Sequence, residues 1–240
     1  IYISDGSKKM IRYRFNAYGE KYNYKNDNYF KEIFNYVSDE IDLDSLVLEG
    51  GNLEFSARGI LITNMHCIKK NNIASCTIDI EKEINRMTKK LGVSELFTIN
   101  LNGIIGDDTN GHIDNFIRFI DNETIVYFAS KDESYCNYQL ACKLAKQVKD
   151  IVDRSKIIKQ AIPLYHSKDD ELIKNGKIYP YSKLNFIATT ECFIFPCISN
   201  NRESLQHDLD GLPSKTKIYV INTEAALTEY GGLHCLTANI

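Results

Sequence analysis

Polar and apolar residues alternate in short blocks along the chain. Residues 10–15, 46–48, 53–55, 59–63 and 96–99 are brief apolar runs bounded by polar residues or glycine, and each predicts a strand. Residues 113–120 and 124–129 predict a strand pair around a turn at Asp121-Asn122, and 157–164, 186–189, 192–196 and 217–220 predict further strands. Helical spacing appears between them, at 29–37, 80–91, 138–152 and 203–209. In the second of these, Ile80, Ile84, Met87 and Leu91 share one face and Gly92 is the stop. Residues 69–72, rich in Lys and Asn, are read as an exposed loop. Strand pair, helix and strand recur in that order, with no visible sequence repeat and no Pro/Gly/Ser-rich linker. The pattern predicts one α/β domain with mixed sheets over residues 1–240.

Composition narrows the partners. The 240 residues are 43% hydrophobic and 25% charged, as in ordinary folded proteins. Lys and Arg number 29 against 32 Asp and Glu, a net charge of −3, so the basic excess of a general nucleic-acid binder is missing. The longer apolar runs, such as 187–198, are broken by Thr, Glu and Pro short of the roughly 18 residues that cross a bilayer. Seven cysteines, an odd number without a CxxC, favour a reduced, cytoplasmic compartment over a disulfide-stapled secreted scaffold. The chain starts at Ile1 without a charged-then-apolar leader segment.

Four segments put reactive side chains beside glycines or tight turns. In Leu48-Glu49-Gly50-Gly51-Asn52 a carboxylate at a strand end precedes two glycines, which permit close backbone approach to a crevice; the plain alternative is a hairpin turn with an exposed Glu. In the stretch from Gly106 through Asp107, Asp108, Thr109, Asn110 and Gly111 to His112, Ile113 and Asp114, the His and the last carboxylate are two apart. On a strand they would share a face and could move a proton and grip a cation; a solvated acidic turn is the alternative. The stretch lacks calcium-loop spacing. In Tyr230-Gly231-Gly232-Leu233-His234-Cys235 a cysteine follows a glycine pair, as a nucleophile on a tight turn would, or as a buried structural thiol. The other six cysteines read as structural, Cys67 least securely. The fourth segment, Phe15-Asn16-Ala17-Tyr18-Gly19, is an aromatic turn fit for core or for a cationic ligand.

Taken in order, E-G-G, D-x-T-N-G-H-x-D-N and G-G-x-H-C-L-T resemble the guanidine-modifying, or pentein, superfamily, and within it the agmatine deiminase and bacterial peptidylarginine-deiminase-like family. Arg14-Phe15-Asn16-Ala17-Tyr18-Gly19 is similar to that family's R-F-N-x-W-G, and Tyr181-Ser182-Lys183-Leu184-Asn185-Phe186 to its S-Y-x-N-F. The resemblance implies a pentein-type α/β propeller of ββαβ units around a central site. It implies Cys235 as nucleophile, His112 as general acid and base, Asp114 as guanidinium ligand, and Glu49 as the group that orients His112 and helps hold the cation. Asp108, Asn110, Tyr18 and Gly232 are the implied substrate-binding positions. His234, set on a strand, would point away from Cys235 and serve structure, and His66, His166 and His207 are surface or core residues.

The resemblance has gaps. The family's W-x-R-D-x-G-P segment, with a further acid for the guanidinium, has no counterpart before Tyr2-Ile3-Ser4-Asp5-Gly6-Ser7. The chain is therefore expected to lack its N-terminal portion, about a quarter to a third of the family length, and to be inactive alone. The chain has no Trp, and Tyr18 stands where the family carries one; Tyr230 replaces a common Gly. The implied reaction is hydrolysis of agmatine to N-carbamoylputrescine and ammonia, in polyamine and putrescine biosynthesis. Deimination of peptidyl-arginine or free arginine, and guanidine binding without turnover, are the rivals. Neither metal nor organic cofactor is implied; a homodimer is common among such enzymes, and nothing in this sequence establishes one.

Overall fold

Three times among the described residues a short strand pairs antiparallel with a second, helix follows, and a third strand returns parallel to the second. The computed structural model describes residues 10–23, 40–73, 78–212 and 217–237, so the helix expected at 29–37 lies outside the described residues. The first unit is β3 (Leu53–Phe55), β4 (Ile60–Asn64) and β5 (Glu95–Ile99), with helices α2 (Met65–Asn71) and α3 (Ile80–Lys90) between the last two strands. The second is β6 (Ile117–Phe119), β7 (Thr124–Ser130), α4 (Tyr138–Arg154) and β8 (Gln160–His166). The third is β11 (Ile187–Ala188), β12 (Cys192–Cys197), α5 (Arg202–Asp210) and β13 (Lys217–Asn222). In each three-stranded sheet the middle strand of the sequence is the middle strand in space. Ahead of the units, β1 (Met10–Arg14) pairs parallel with β2 (Glu40–Val47), and a turn, α1 (Ala17–Glu20), follows β1. A hairpin of β9 (Leu172–Lys174) and β10 (Lys177–Tyr179) leads into the third unit, and α6 (Glu224–Thr228) precedes the last loop.

The sequence pattern accounts for these elements. β4 is buried along its whole length, the signature of a central strand covered on both faces, which is why its run Ile60-Leu61-Ile62 does not alternate. Asp79 caps α3 by accepting from Lys82 N at 3.1 Å, acids occupy its first turn and Lys89 and Lys90 its last, each complementing the helix dipole. α4 buries Ala141, Leu144, Val148 and Ile151, the helical spacing that marked it.

Two expectations need correction. The strand expected over 113–120 begins only at Ile117, because residues 113–115 close a tight 3-10 turn in which Phe116 N donates to Ile113 O at 2.8 Å. Residues 69–72 are not an exposed loop. They end α2, and Asn71 and Asn72 are buried. Asn72 acts as a surrogate strand: it accepts from Val47 N and donates to Val47 O, both at 2.9 Å.

A buried ion pair ties the units together. Arg118 of β6 donates from Nε to Glu54 of β3 at 2.9 Å and from its terminal nitrogen to Phe186 O at 2.8 Å, with its guanidinium over the Phe186 ring at 4.7 Å. Glu54 also accepts from Phe119 N at 2.8 Å. Removing either partner would strand a buried charge, at a cost of about 3–5 kcal/mol. One apolar core, with Ile62, Phe116, Phe128, Leu144, Leu184, Phe186 and Phe195 in it, runs through all three units. Among the described residues no helix is long and apolar enough to cross a membrane.

Candidate active site

Glu49 follows β2 in extended conformation (φ −135°) and is 4% exposed, so the exposed-hairpin alternative is excluded. Its Oε2 lies 2.5 Å from His112 Nε2. His112 precedes the 3-10 turn and Asp114 sits within it; they are 5% and 1% exposed. They converge through a turn, not through the strand face expected of them. Gly51 packs against both: a Cβ there would fall 2.5 Å from His112 Nδ1 and 3.1 Å from Asp114 Oδ2. Only glycine lets the chain pass this close.

The acidic stretch is no solvated turn. Asp107 Oδ1 accepts from Thr109 N at 2.9 Å and Thr109 Oγ1 at 2.7 Å, and its Oδ2 from Gly111 N at 2.7 Å. These bonds fold the loop that delivers His112 and Asp114.

The last loop reaches the same place. Cys235 Sγ lies 3.8 Å from Asp114 Oδ2 and receives a hydrogen bond from Asn185 Nδ2 at 3.4 Å. Asn185 Oδ1 in turn accepts from His234 N at 2.8 Å. A Cβ on Gly232 would lie 2.3 Å from that Asn185 oxygen, so the glycine is what admits the clamp. His234 corrects its expectation: it lies in a 3-10 turn (His234–Leu236), and its Nδ1 is 2.8 Å from Asp114 Oδ2. A turn, unlike a strand, does not send neighbouring side chains to opposite faces. Tyr230 holds φ +61° in this loop, a strained value for a tyrosine, with the Lys177 ammonium 4.5 Å over its ring.

The remaining expected residues frame this centre. Cys235, Asp108 and Gly232 line a crevice partly open to solvent, together with Asp107, Tyr181 and Tyr230. The Tyr18 ring stands 5.8 Å from that of His112. Asp108 accepts from Tyr22 OH at 2.8 Å. Asn110 bonds to Asn71 at 2.9 Å and to Lys21 at 3.0 Å, fastening the residue 17–23 segment beside the site. Cys67, read as structural, is also here: its thiol donates toward Glu49 Oε2 at 3.7 Å and Thr109 O at 3.5 Å. Asn185 and His234 are the residues sequence reasoning missed as site components, although both stand inside the quoted motifs.

Electrostatics follow from the packing. Burial alone would push His112 down, but the Glu49 hydrogen bond and the charges of Asp114 and Glu49 outweigh it and raise its pKa. Burial would raise Asp114, but the His234 hydrogen bond and the nearby His112 lower it. The Cys235 thiol is pushed up to about 12, first by loss of water around the sulfur and then by the Asp114 charge. Residue 235 as a whole is exposed, and its sulfur contacts Asn185 Nδ2 at 3.4 Å and Asp114 Oδ2 at 3.8 Å.

Among the described residues, two buried side-chain polar atoms have no hydrogen-bond partner: Glu49 Oε1 and Asp114 Oδ1. Two unpaired carboxylate oxygens in one site are costly unless N–H donors from a ligand complete them. A planar cation beside the sulfur would also bring the thiol down toward its ionised form. Glu49, Cys67 and His112 further place an oxygen, a sulfur and a nitrogen within 4.8 Å of one another, a spacing fit for a metal ion.

Relatives share this fold. The structure of the Enterococcus faecalis agmatine deiminase "catalyzing its reaction" superposes with a TM-score of 0.83 at 21% identity, over 95% of this chain and 68% of that one. DDAH from Pseudomonas aeruginosa, complexed with citrulline, superposes with a TM-score of 0.51 at 11% identity, over 93% and 66% of the two chains. These likenesses show a shared mixed α/β fold. In sequence, the agmatine deiminase of Pseudomonas aeruginosa is 22% identical over 81% of this chain and 57% of its own length. The profile of the family described as Porphyromonas-type peptidyl-arginine deiminase matches residues 1–240, and the chain belongs to that family.

Proposed function

We propose that the protein hydrolyses agmatine to N-carbamoylputrescine and ammonia through a covalent intermediate on Cys235. The observation that carries this reading is the pair of unpartnered carboxylate oxygens, Glu49 Oε1 and Asp114 Oδ1, in the site that holds the Cys235 sulfur. A guanidinium presents paired N–H donors in one plane and satisfies such oxygens.

The steps follow from the residues. Asp114 grips the guanidinium, whose charge offsets the carboxylate that holds the thiol protonated. With the cation in place the Cys235 thiol loses its proton to solvent, and the thiolate adds to the guanidinium carbon. His112, kept protonated by Glu49, gives its proton to one nitrogen, and that C–N bond breaks to release ammonia. The Cys235 S-alkylthiouronium remains. His112, now neutral, takes a proton from water; the oxygen adds to the carbon, the C–S bond breaks with the hydroxyl proton passing to the departing sulfur, and the ureido product leaves. Every atom comes from agmatine, water or the thiol, so no redox partner enters.

Agmatine is favoured over free arginine by the acidic excess of the described crevice lining, Asp107 and Asp108, against the one neighbouring ammonium of Lys21, which bonds to Asp108 O and Asn110. An amine tail suits that charge; an α-carboxylate asks for a cation. The three ββαβ units support a propeller closing around the site, and the product belongs to putrescine and polyamine formation in the cytoplasm. We read the chain as one catalytic domain that pairs as a homodimer. Ureido product and ammonia, measured for the full-length protein with agmatine, arginine and an arginine-containing peptide, test the assignment. Agmatine should give the highest kcat/KM; a preference for the peptide or for arginine overturns it.

A further inference from the structure

We propose that Glu49, Cys67 and His112 form an inhibitory binding site for a thiophilic divalent cation of the zinc type. Among the described residues they are the one group of His, Cys, Asp and Glu side chains with three donor atoms within 4.8 Å of one another, and all three are buried. A sulfur, an imidazole nitrogen and a carboxylate oxygen suit zinc, whereas magnesium and calcium prefer all-oxygen sets.

The spacing fits that ion. Oxygen and sulfur ligands on one tetrahedral zinc stand about 3.5 Å apart; Glu49 Oε2 and Cys67 Sγ are 3.7 Å apart. Glu49 Oε2 and His112 Nε2 share a proton at 2.5 Å, and zinc would take that proton's place as the atoms part to about 3.3 Å. A second oxygen is already in position: Glu49 Oε1 is buried without a partner. Asp107 and Asp114 lie close enough to add negative charge around Cys67. The fourth position would hold water.

Binding displaces the Cys67 thiol proton and the proton between Glu49 and His112, and it takes the His112 Nε2 lone pair out of proton transfer. Cys67 has no role in the covalent chemistry, so the site differs from any metal capture by the nucleophile. Inhibition rests on the deiminase reading; occupancy does not.

The test is zinc titrated into the full-length protein against a chromogenic chelator, with circular dichroism to check the fold. Wild type and Cys235→Ser should each bind one zinc per chain, and Cys67→Ser should bind at least about tenfold more weakly. Cobalt placed in Cys235→Ser should show thiolate-to-cobalt charge-transfer absorption, which reads the site even if Cys67→Ser misfolds. No stoichiometric zinc in wild type, equal affinity in a folded Cys67→Ser, loss of zinc in Cys235→Ser, or cobalt without the charge-transfer band overturns the proposal. Zinc bound as expected to a protein inert toward agmatine keeps this site and removes the deiminase assignment.

Discussion

His234 Nδ1 lies 2.8 Å from Asp114 Oδ2, the same oxygen that faces the Cys235 sulfur at 3.8 Å. The contact occupies one carboxylate oxygen and leaves the other, Oδ1, free to meet a ligand. It also lowers the Asp114 pKa. His234→Ala should cut kcat/KM for agmatine by roughly 10–100-fold, the worth of a hydrogen bond to a charged group. Asp114 then takes up a proton at higher pH, so the acid limb of the pH–rate profile should move upward. His234→Gln, which keeps a donor, should recover part of the loss. An acid limb that does not move would reduce His234 to packing.

The two close glycines give a sharper steric prediction. A methyl on Gly51 meets His112 Nδ1 at 2.5 Å, and one on Gly232 meets Asn185 Oδ1 at 2.3 Å, whereas one on Gly176 meets nothing within 4 Å. Gly51→Ala and Gly232→Ala should each lower kcat by about 100-fold, as expected when catalytic groups shift by an ångström. Gly176→Ala should leave kcat intact and cost about 1 kcal/mol of stability for its left-handed backbone. Equal kcat values for all three variants, from steady-state assays, would contradict this account of the loops.

The Cys235 thiol, pushed up to about 12 by desolvation and by Asp114, should be a poor nucleophile toward iodoacetamide in the ligand-free protein at pH 7. Its alkylation rate, followed by peptide mass mapping, should rise about tenfold per pH unit through the alkaline range, as the thiolate fraction does. Asp114→Asn removes a charge that raises this pKa, so alkylation at pH 8 should quicken. A fast, pH-independent reaction in wild type near neutrality would be inconsistent with a protonated resting thiol.

His166 makes a prediction about stability. Its Nε2 accepts from Lys183 N at 3.0 Å and its Nδ1 donates to Leu164 O at 3.0 Å, so the folded protein holds the neutral ring. Burial and the Lys183 charge lower its pKa well below 6.5. The unfolded chain binds this proton first as pH falls, so stability is complete above about pH 6.5 and declines below it. Thermal melts from pH 7.5 to 5 should show this decline in wild type, and a shallower one in His166→Gln. Parallel pH dependences would assign the acid sensitivity to other groups.

Much of this was legible in the chain before the fold, and the failures have physical causes. The ββαβ rhythm and the helices at Ile80–Lys90 and Tyr138–Arg154 followed from spacing. Glu49, His112, Asp114 and Cys235 followed from motif order, and the fold brings their elements to one place. α2 was missed because Met65-His66-Cys67-Ile68 is too short a run for helical periodicity, and its Lys and Asn end resembles a loop. Asn72 is buried because it pairs with the Val47 backbone, a long-range contact that no local window contains. His234 was misplaced by assuming a strand where a 3-10 turn forms, and the same assumption drew residues 113–115 into β6. Cys67 joins the site only because α2 packs beside Glu49.

The central claim is a carbon–sulfur bond at Cys235. Full-length protein mixed with agmatine, quenched in acid within milliseconds and weighed intact should show a species heavier by agmatine less ammonia. Peptide mapping should locate it on Cys235, and Cys235→Ser should show neither that species nor product. Turnover of agmatine by Cys235→Ser, or an adduct on another residue, would contradict the account.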